Sequence, residues 1–205
     1  MKRQKRLKKV IVGVTGIFGC GKTTVAGFFR TLGAKVINAD RIGHSYLSCG
    51  TDTYRKIVRV FGEDILKKGA SIDRQKLAGL VFSDRRKLNQ LNRIMLPVIS
   101  RDIKSRVKNI KNGVVVLDAP LLFEAKLDSI ADYIVVVNCS RKNLLKRLMK
   151  LKRVTKSQAL SRIKKQIPLS KKLRTADFII DNNLAPKRVK SQVKGILEEV
   201  VFSVR

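Results

Sequence analysis

The sequence predicts a single α/β domain, a parallel sheet flanked by helices, and three observations carry that prediction. Short β-branched runs alternate with longer helical patterns from end to end, the order that parallel sheets impose. Two of the runs, VVVLD from Val114 and YIVVV from Tyr133, are almost continuously apolar, as strands covered on both faces are. A Gly-rich loop, Gly16-Ile-Phe-Gly-Cys-Gly-Lys22-Thr23, lies between the first apolar run and a helical segment.

Taken in order, the strand candidates are Lys9 to Val14, Ala34 to Ile37, Val114 to Asp118, Tyr133 to Val137 and Phe178 to Ile180. The first helix is expected to open at Gly21 and run to about Thr31. Between the second and third strands, Arg41 to Asn112 forms a long insertion with helical patterns over 53–61, 74–82 and 85–106, broken at Lys68-Gly69 and again at Pro97. Its size suggests a helical subdomain that covers a substrate. The 205 residues suit one domain, and with 44% hydrophobic residues but no Trp the core must rest on Val, Ile and Leu.

Gly16-x4-Gly21-Lys22-Thr23 meets the phosphate-binding P-loop pattern in the context that gives the pattern meaning, strand before and helix after. The glycines let backbone N–H groups point at phosphate oxygens, and the helix adds the positive end of its dipole. Gly16, Gly19, Cys20, Gly21, Lys22, Thr23 and Thr24 are therefore the ATP-binding candidates, with Cys20 contributing only its backbone. Lys22 is placed on the β and γ phosphates, and the Thr23 hydroxyl on magnesium. No NKxD guanine signature follows, and the chain is short for a motor ATPase, which favours a nucleoside or nucleotide kinase type of P-loop architecture.

Three further groups carry chemistry. Asp40 lies just past the second strand, where open α/β sheets bind ligands; it can serve as general base toward an alcohol or as the N-cap of the next helix. Asp118 ends VVVLD, where a carboxylate supports magnesium or merely finishes the strand. His44, the only histidine, reads as a helix-face or substrate contact. Arg147, Arg153 and Arg162 fall in Arg141 to Arg174, a stretch with fourteen basic residues and no acidic one; a mobile lid closing over ATP and a solvated basic helix both fit.

Composition limits the function classes. No run approaches the ~18 apolar residues of a membrane span, and Cys20, Cys49 and Cys139 lack any paired motif, so reduced thiols and a cytosolic protein are expected. The 46 Lys and Arg against 15 Asp and Glu give a net charge of +31. Such a field attracts polyanions, nucleic acid among them, yet nucleotide and coenzyme substrates are polyanions too, and no specific nucleic-acid partner is expected.

Taken together, TGIFGCGKTT from Thr15, Ala39-Asp40, FGEDIL from Phe61, IDRQKLAGLVF from Ile72, LNRIMLP from Leu91, DAPLLFE from Asp118 and ADFIIDNN from Ala176 resemble the dephospho-coenzyme A kinase family over nearly the whole chain. That resemblance implies transfer of the ATP γ-phosphate to the ribose 3′-hydroxyl of dephospho-coenzyme A, the last step of coenzyme A synthesis. Asp40 takes the base position, and Arg147 becomes the lid arginine. The acceptor set implied comprises Asp40, His44 and Thr15 together with Pro120, Leu121, Leu122 and Glu124. Three positions depart from the family pattern: Leu96-Pro97 where His-Pro is usual, Leu151 where a second lid arginine is usual, and Asn38 where an aspartate is usual. Against this stand two other readings, a P-loop kinase for another alcohol such as a nucleoside, and a basic nucleic-acid-associated NTP-binding protein.

Overall fold

The computed structural model describes residues 8–150 and 155–203; Leu151 and Arg153, named above, lie outside them. Strands β1 (Val10–Gly16), β2 (Lys35–Asn38), β3 (Val114–Asp118), β4 (Tyr133–Asn138) and β5 (Phe178–Asp181) form one parallel sheet in the order β2-β3-β1-β4-β5. All five expected strands are present, with ends moved by one or two residues. Helices fill the connections from β1 to β2, β2 to β3 and β4 to β5, which lets parallel neighbours pair, while β3 reaches β4 through turns and a short 3-10 segment at Asp128–Ile130.

The helices are α1 (Lys22–Thr31), α2 (Ala39–Ser45), α3 (Asp52–Phe61), α4 (Arg74–Ser83), α5 (Arg85–Asn109), α6 (Arg141–Lys150), α7 (Lys156–Lys164), α8 (Leu169–Arg174) and α9 (Pro186–Phe202). Several start where a short polar side chain takes up the free N–H groups of the first turn: Thr51 accepts from Tyr54 N, Asp73 from Gln75 N and Lys76 N, and Asp84 from Arg86 N and Lys87 N. Pro186 begins α9, where its missing N–H does no harm. Pro97 does not break the insertion as expected: α5 runs unbroken for 25 residues with Pro97 inside it. The bond that Pro97 cannot donate to the Arg93 carbonyl falls where both residues are exposed, so water can satisfy that oxygen.

The strands alternate between two cores, because successive side chains point to opposite faces. Val10, Val12 and Val14 of β1 and Val114 and Val116 of β3 join Phe29 of α1 and Val193 of α9 on one face. Ile11, Val115 and Leu117 join Ile103 and Val107 of α5 and Leu122 on the other. The insertion has a core of its own in Ile57, Ile65, Ile72, Leu77 and Val81, so it can stand over the sheet without borrowing the sheet's hydrophobic surface. All three cysteines are unpaired thiols, Cys20 and Cys139 buried and Cys49 exposed.

Strand register places the polar ends side by side. Asn38 of β2 and Val14 of β1 both pair with Asp118 of β3, and Gly16 pairs with Val137 of β4. The carboxyl ends of β1, β2, β3 and β4 therefore meet where the Gly-rich loop leaves β1.

Candidate active site

β1 delivers the chain into the loop, and Gly21 turns it into α1 with φ +92, a conformation that favours glycine. A Cβ there would also lie 2.1 Å from Asn182 Nδ2. No side chain caps α1, so its first-turn N–H groups and dipole are left for an anion. Thr23 and Thr24 are exposed at this end. Lys22 folds back over the loop and donates from Nζ to the Ile17 carbonyl at 3.0 Å.

The underside of the loop is tied down by residues far away in sequence. The Cys20 thiol is buried in the sheet core, while its carbonyl accepts from Asn182 Nδ2 at 2.7 Å and from Arg147 Nη1 at 3.1 Å. Arg147 Nη2 donates to the Asn182 carbonyl at 2.7 Å. In this structure Arg147 therefore braces the loop from below. At the other end of the loop, Phe18 N donates to Gln166 Oε1 at 2.8 Å.

The two readings of Asp40 are separated by Asn38. The cap of α2 is Asn38, whose Oδ1 accepts from Arg41 N at 2.7 Å, and Asp40 stands inside the first turn with its side chain free of that duty. Asn38 Nδ2 donates to Asp118 Oδ2 at 2.6 Å, so one amide caps the helix and also orients the second carboxylate. An aspartate at 38 could do the first but, when ionised, not the second.

Asp40 opens onto a cleft, solvent-accessible at the surface yet walled by protein. Its pKa is raised, chiefly by loss of hydration, with Lys22 and then His44 pulling against the rise. Asp118 is buried; burial raises its pKa most, Asp40 raises it further, and Lys22, the Thr23 hydroxyl and Asn38 lower it. Asp40, Asp118, Lys22 and Thr23 thus form one electrostatic group. His44 has its pKa lowered by burial first and by Arg74 second, with Asp40 opposing, so a neutral imidazole is favoured.

Asp118 yields a stability test. A carboxyl whose folded pKa lies above its unfolded value contributes stability that is present at low pH and lost as pH rises through the folded pKa. At neutral pH the Asp118 charge therefore opposes folding. Asp118→Asn is expected to raise the thermal midpoint at pH 7, each kcal/mol relieved giving about 2–4 °C in a chain of this size. The gain should shrink on acidification, as thermal scans across pH would record.

Beyond Asp40 lies a cavity of about 520 Å³ between the insertion and the sheet. Asp40, His44, Pro120, Leu121 and Glu124 line it, and Leu96, the position where the family pattern has histidine, adds an apolar wall. Two of the expected acceptor residues do not line it. Leu122 is wholly buried in the core, where it packs within reach of Gly13, and Thr15 is wholly buried with its hydroxyl 3.4 Å from the Pro120 carbonyl. The segment after Pro120 runs in turns, Ala125 N donating to the Leu121 carbonyl at 2.9 Å, so Pro120, Leu121 and Glu124 fall on the cavity side while Leu122 faces the core.

Arg162, grouped above with the arginines over ATP, lines this cavity instead. Its guanidinium lies between the rings of Phe18 and Phe82, 5.2 and 4.8 Å from their centroids. Glu124 Oε1 accepts from Ile167 N, and Oε2 is buried without a partner. Ser161 and Lys165 donate to carbonyls at the C-terminal end of α4, so α7 is fastened to the insertion. Sequence reasoning missed Gln166 and Lys172 altogether; both sit in the basic stretch, where neither spacing nor pattern distinguishes a buried side chain from a solvated one.

Thr23 and Asp118 bring two hard oxygen donors together, and among the described residues no group of three His, Cys, Asp or Glu could cage a metal. Such a pair fits magnesium, which keeps several waters and takes phosphate oxygens as ligands. No helix among the described residues is long and apolar enough to cross a membrane.

The loop, the carboxylate pair and the adjoining cavity specify a kinase-like site but leave the acceptor open. A family model described as dephospho-CoA kinase matches residues 10–187. The chain belongs to the dephospho-CoA kinase family. A protein named dephospho-CoA kinase in Carboxydothermus hydrogenoformans is 40% identical over 192 residues, covering 92% of this chain and 93% of the relative. Among solved structures, a dephospho-CoA kinase from Campylobacter jejuni superposes with a TM-score of 0.67 at 28% identity, covering 95% of this chain and 98% of that one. A crystal structure from Thermus thermophilus gives 0.77 at 26%, with 94% and 98% covered. The family assignment thus rests on the full length of the sheet, the insertion and the residues after β4.

Proposed function

We propose that the chain transfers the γ-phosphate of ATP to the ribose 3′-hydroxyl of dephospho-coenzyme A, with Asp40 as the general base. The observation that carries this reading is the position of Asp40: released from capping by Asn38, it stands at the junction of the phosphate loop and the cavity. Its raised pKa suits a base that must take a proton near neutral pH. The loop N–H groups and Lys22 bind and orient the phosphates, Lys22 leaving the Ile17 carbonyl to do so. Thr23 and Asp118 would hold magnesium, which supplies charge neutralisation on the phosphates.

On the acceptor side, Pro120, Leu121, His44 and Glu124 form walls that hold the nucleotide end of the substrate against Asp40 and exclude water from the reacting hydroxyl. Residues of α6 and α7 are proposed as the lid, with Arg147 leaving its carbonyl partners to approach the phosphates on closure. The cytoplasm is the proposed location, in keeping with three unpaired thiols.

One assay with a panel of acceptors tests the reading. With ATP and magnesium, the folded protein should convert dephospho-coenzyme A to coenzyme A and leave nucleosides unphosphorylated. Phosphorylation of a nucleoside in preference would move the assignment to another alcohol acceptor, and ATP hydrolysis stimulated by nucleic acid, with no coenzyme A formed, would move it to a nucleic-acid-dependent class.

A further inference from the structure

The basic stretch hides one lysine that is not solvated. Lys172 of α8 is 0% exposed, and its ammonium donates to three oxygens: the Pro120 carbonyl at 2.7 Å, the Thr15 hydroxyl at 3.3 Å and the Gly16 carbonyl at 3.4 Å. Thr15 and Gly16 end β1 and begin the phosphate loop; Pro120 begins the segment that carries Leu121 and Glu124 into the cavity. The Lys172 ammonium bonds both, beside the longer contact of 3.4 Å from the Thr15 hydroxyl to the Pro120 carbonyl.

We propose that Lys172 is a positioning residue for phosphoryl transfer, a buried ammonium that locks the root of the phosphate loop to the Pro120–Glu124 wall and so fixes the separation between γ-phosphate and acceptor. The proposal rests on the kinase reading above. Three physical arguments support it. A buried ammonium is expensive, and an apolar side chain of equal volume commonly stabilises a core at least as well, so stability alone gives no reason for a cation here. The four-carbon stem and tetrahedral head reach three oxygens from different elements at once, which no uncharged side chain of that length does. Burial works most strongly against the Lys172 charge, Glu124 supports it and Lys22 opposes it, so the ammonium is held by its three oxygen partners and also offsets the wall carboxylate whose Oε2 is buried without a hydrogen-bond partner. Transfer between two bound substrates depends steeply on their separation, a displacement of about 1 Å costing on the order of 10²-fold in rate.

The test is Lys172→Met, which keeps the stem and removes the ammonium, with Lys172→Gln as a second variant retaining donors but neither charge nor reach. Wild-type protein assayed beside them shows whether dephospho-coenzyme A is the acceptor at all; if another acceptor proves to be the substrate, the same comparison is made with it, and if wild type phosphorylates no acceptor the proposal falls with the reading. The expected result is a kcat lower by about 100-fold, an ATP dissociation constant within about threefold of wild type, and a thermal midpoint that is not lowered in proportion. A group that only held the fold together would lower stability and ATP affinity along with turnover. A kcat within threefold of wild type, ATP affinity lost by the same factor as turnover, or failure of both variants to fold would each overturn the proposal.

Discussion

Asp40→Asn is expected to lower kcat by about 10²–10⁴-fold, the usual contribution of a positioned general base, while the ATP dissociation constant stays within about twofold. The amide keeps the shape of the carboxyl and the first turn of α2, because Asn38 and not Asp40 caps that helix. It removes only the ability to accept the proton from the acceptor hydroxyl. The same substitution removes the charge whose loss of hydration raises the Asp40 pKa, so poor folding is not expected to confound the loss. The pH profile adds a second readout. A base works only when deprotonated, so wild-type kcat/KM should fall on the acid side with a midpoint above the ordinary carboxylate range. That limb should vanish from whatever residual activity the variant retains. Wild-type turnover in Asp40→Asn, measured by coenzyme A formation, would remove Asp40 from the chemistry.

Lys22→Met is expected to behave differently, and the contrast is informative. The Lys22 ammonium lowers the pKa of both Asp40 and Asp118, and it donates to the Ile17 carbonyl at 3.0 Å. It is therefore free to move to the phosphates when ATP arrives. Losing one such donor to developing charge typically costs about 10²–10³-fold in kcat, and because Lys22 also binds the ground-state phosphates, ATP affinity should fall with it. Steady-state kinetics with both substrates varied, together with direct ATP binding, separates the two residues: Asp40→Asn affects turnover alone, Lys22→Met affects turnover and ATP affinity. With Lys22 gone, both carboxylates should become harder to ionise, moving the acid limb of the remaining activity upward in pH.

The sheet was legible because its signals are strong and local. Continuous apolar runs of β-branched residues have few alternatives to a strand buried on both faces, and VVVLD and YIVVV became β3 and β4 almost residue for residue. The P-loop was equally plain, since its glycines answer to backbone conformations that few other residues adopt. Pro97 misled for an understandable reason. Proline breaks helices in isolation, but a long helix held by the insertion core and by Ile103 and Val107 against the sheet tolerates one lost bond on its exposed side.

The site was only partly legible, and the missing parts share a cause. Thr15 and Leu122 lie in motifs expected to form the acceptor site, yet both are buried: Thr15 belongs to a strand covered on both faces, and Leu122 sits in a run of turns whose Leu121 and Glu124 take the cavity side. Arg162 looks like any arginine on a basic helix until α7 docks on α4 and presses it between Phe18 and Phe82. Lys172 has no local signature at all; its three partners come from sequence positions 52 to 157 residues away. Asn38 illustrates the reverse case. Its departure from an acidic pattern looks like a loss in sequence, but in space the amide performs two hydrogen-bonding tasks that leave Asp40 free.

A crystal structure of the protein with a nonhydrolysable ATP analogue, magnesium and dephospho-coenzyme A tests the central claim most directly. The account predicts the ribose 3′-hydroxyl within about 3.2 Å of an Asp40 carboxylate oxygen, with Lys22 moved from the Ile17 carbonyl onto the phosphates. A 3′-hydroxyl out of hydrogen-bond reach of Asp40, with no bridging water and another group in its place, would contradict it.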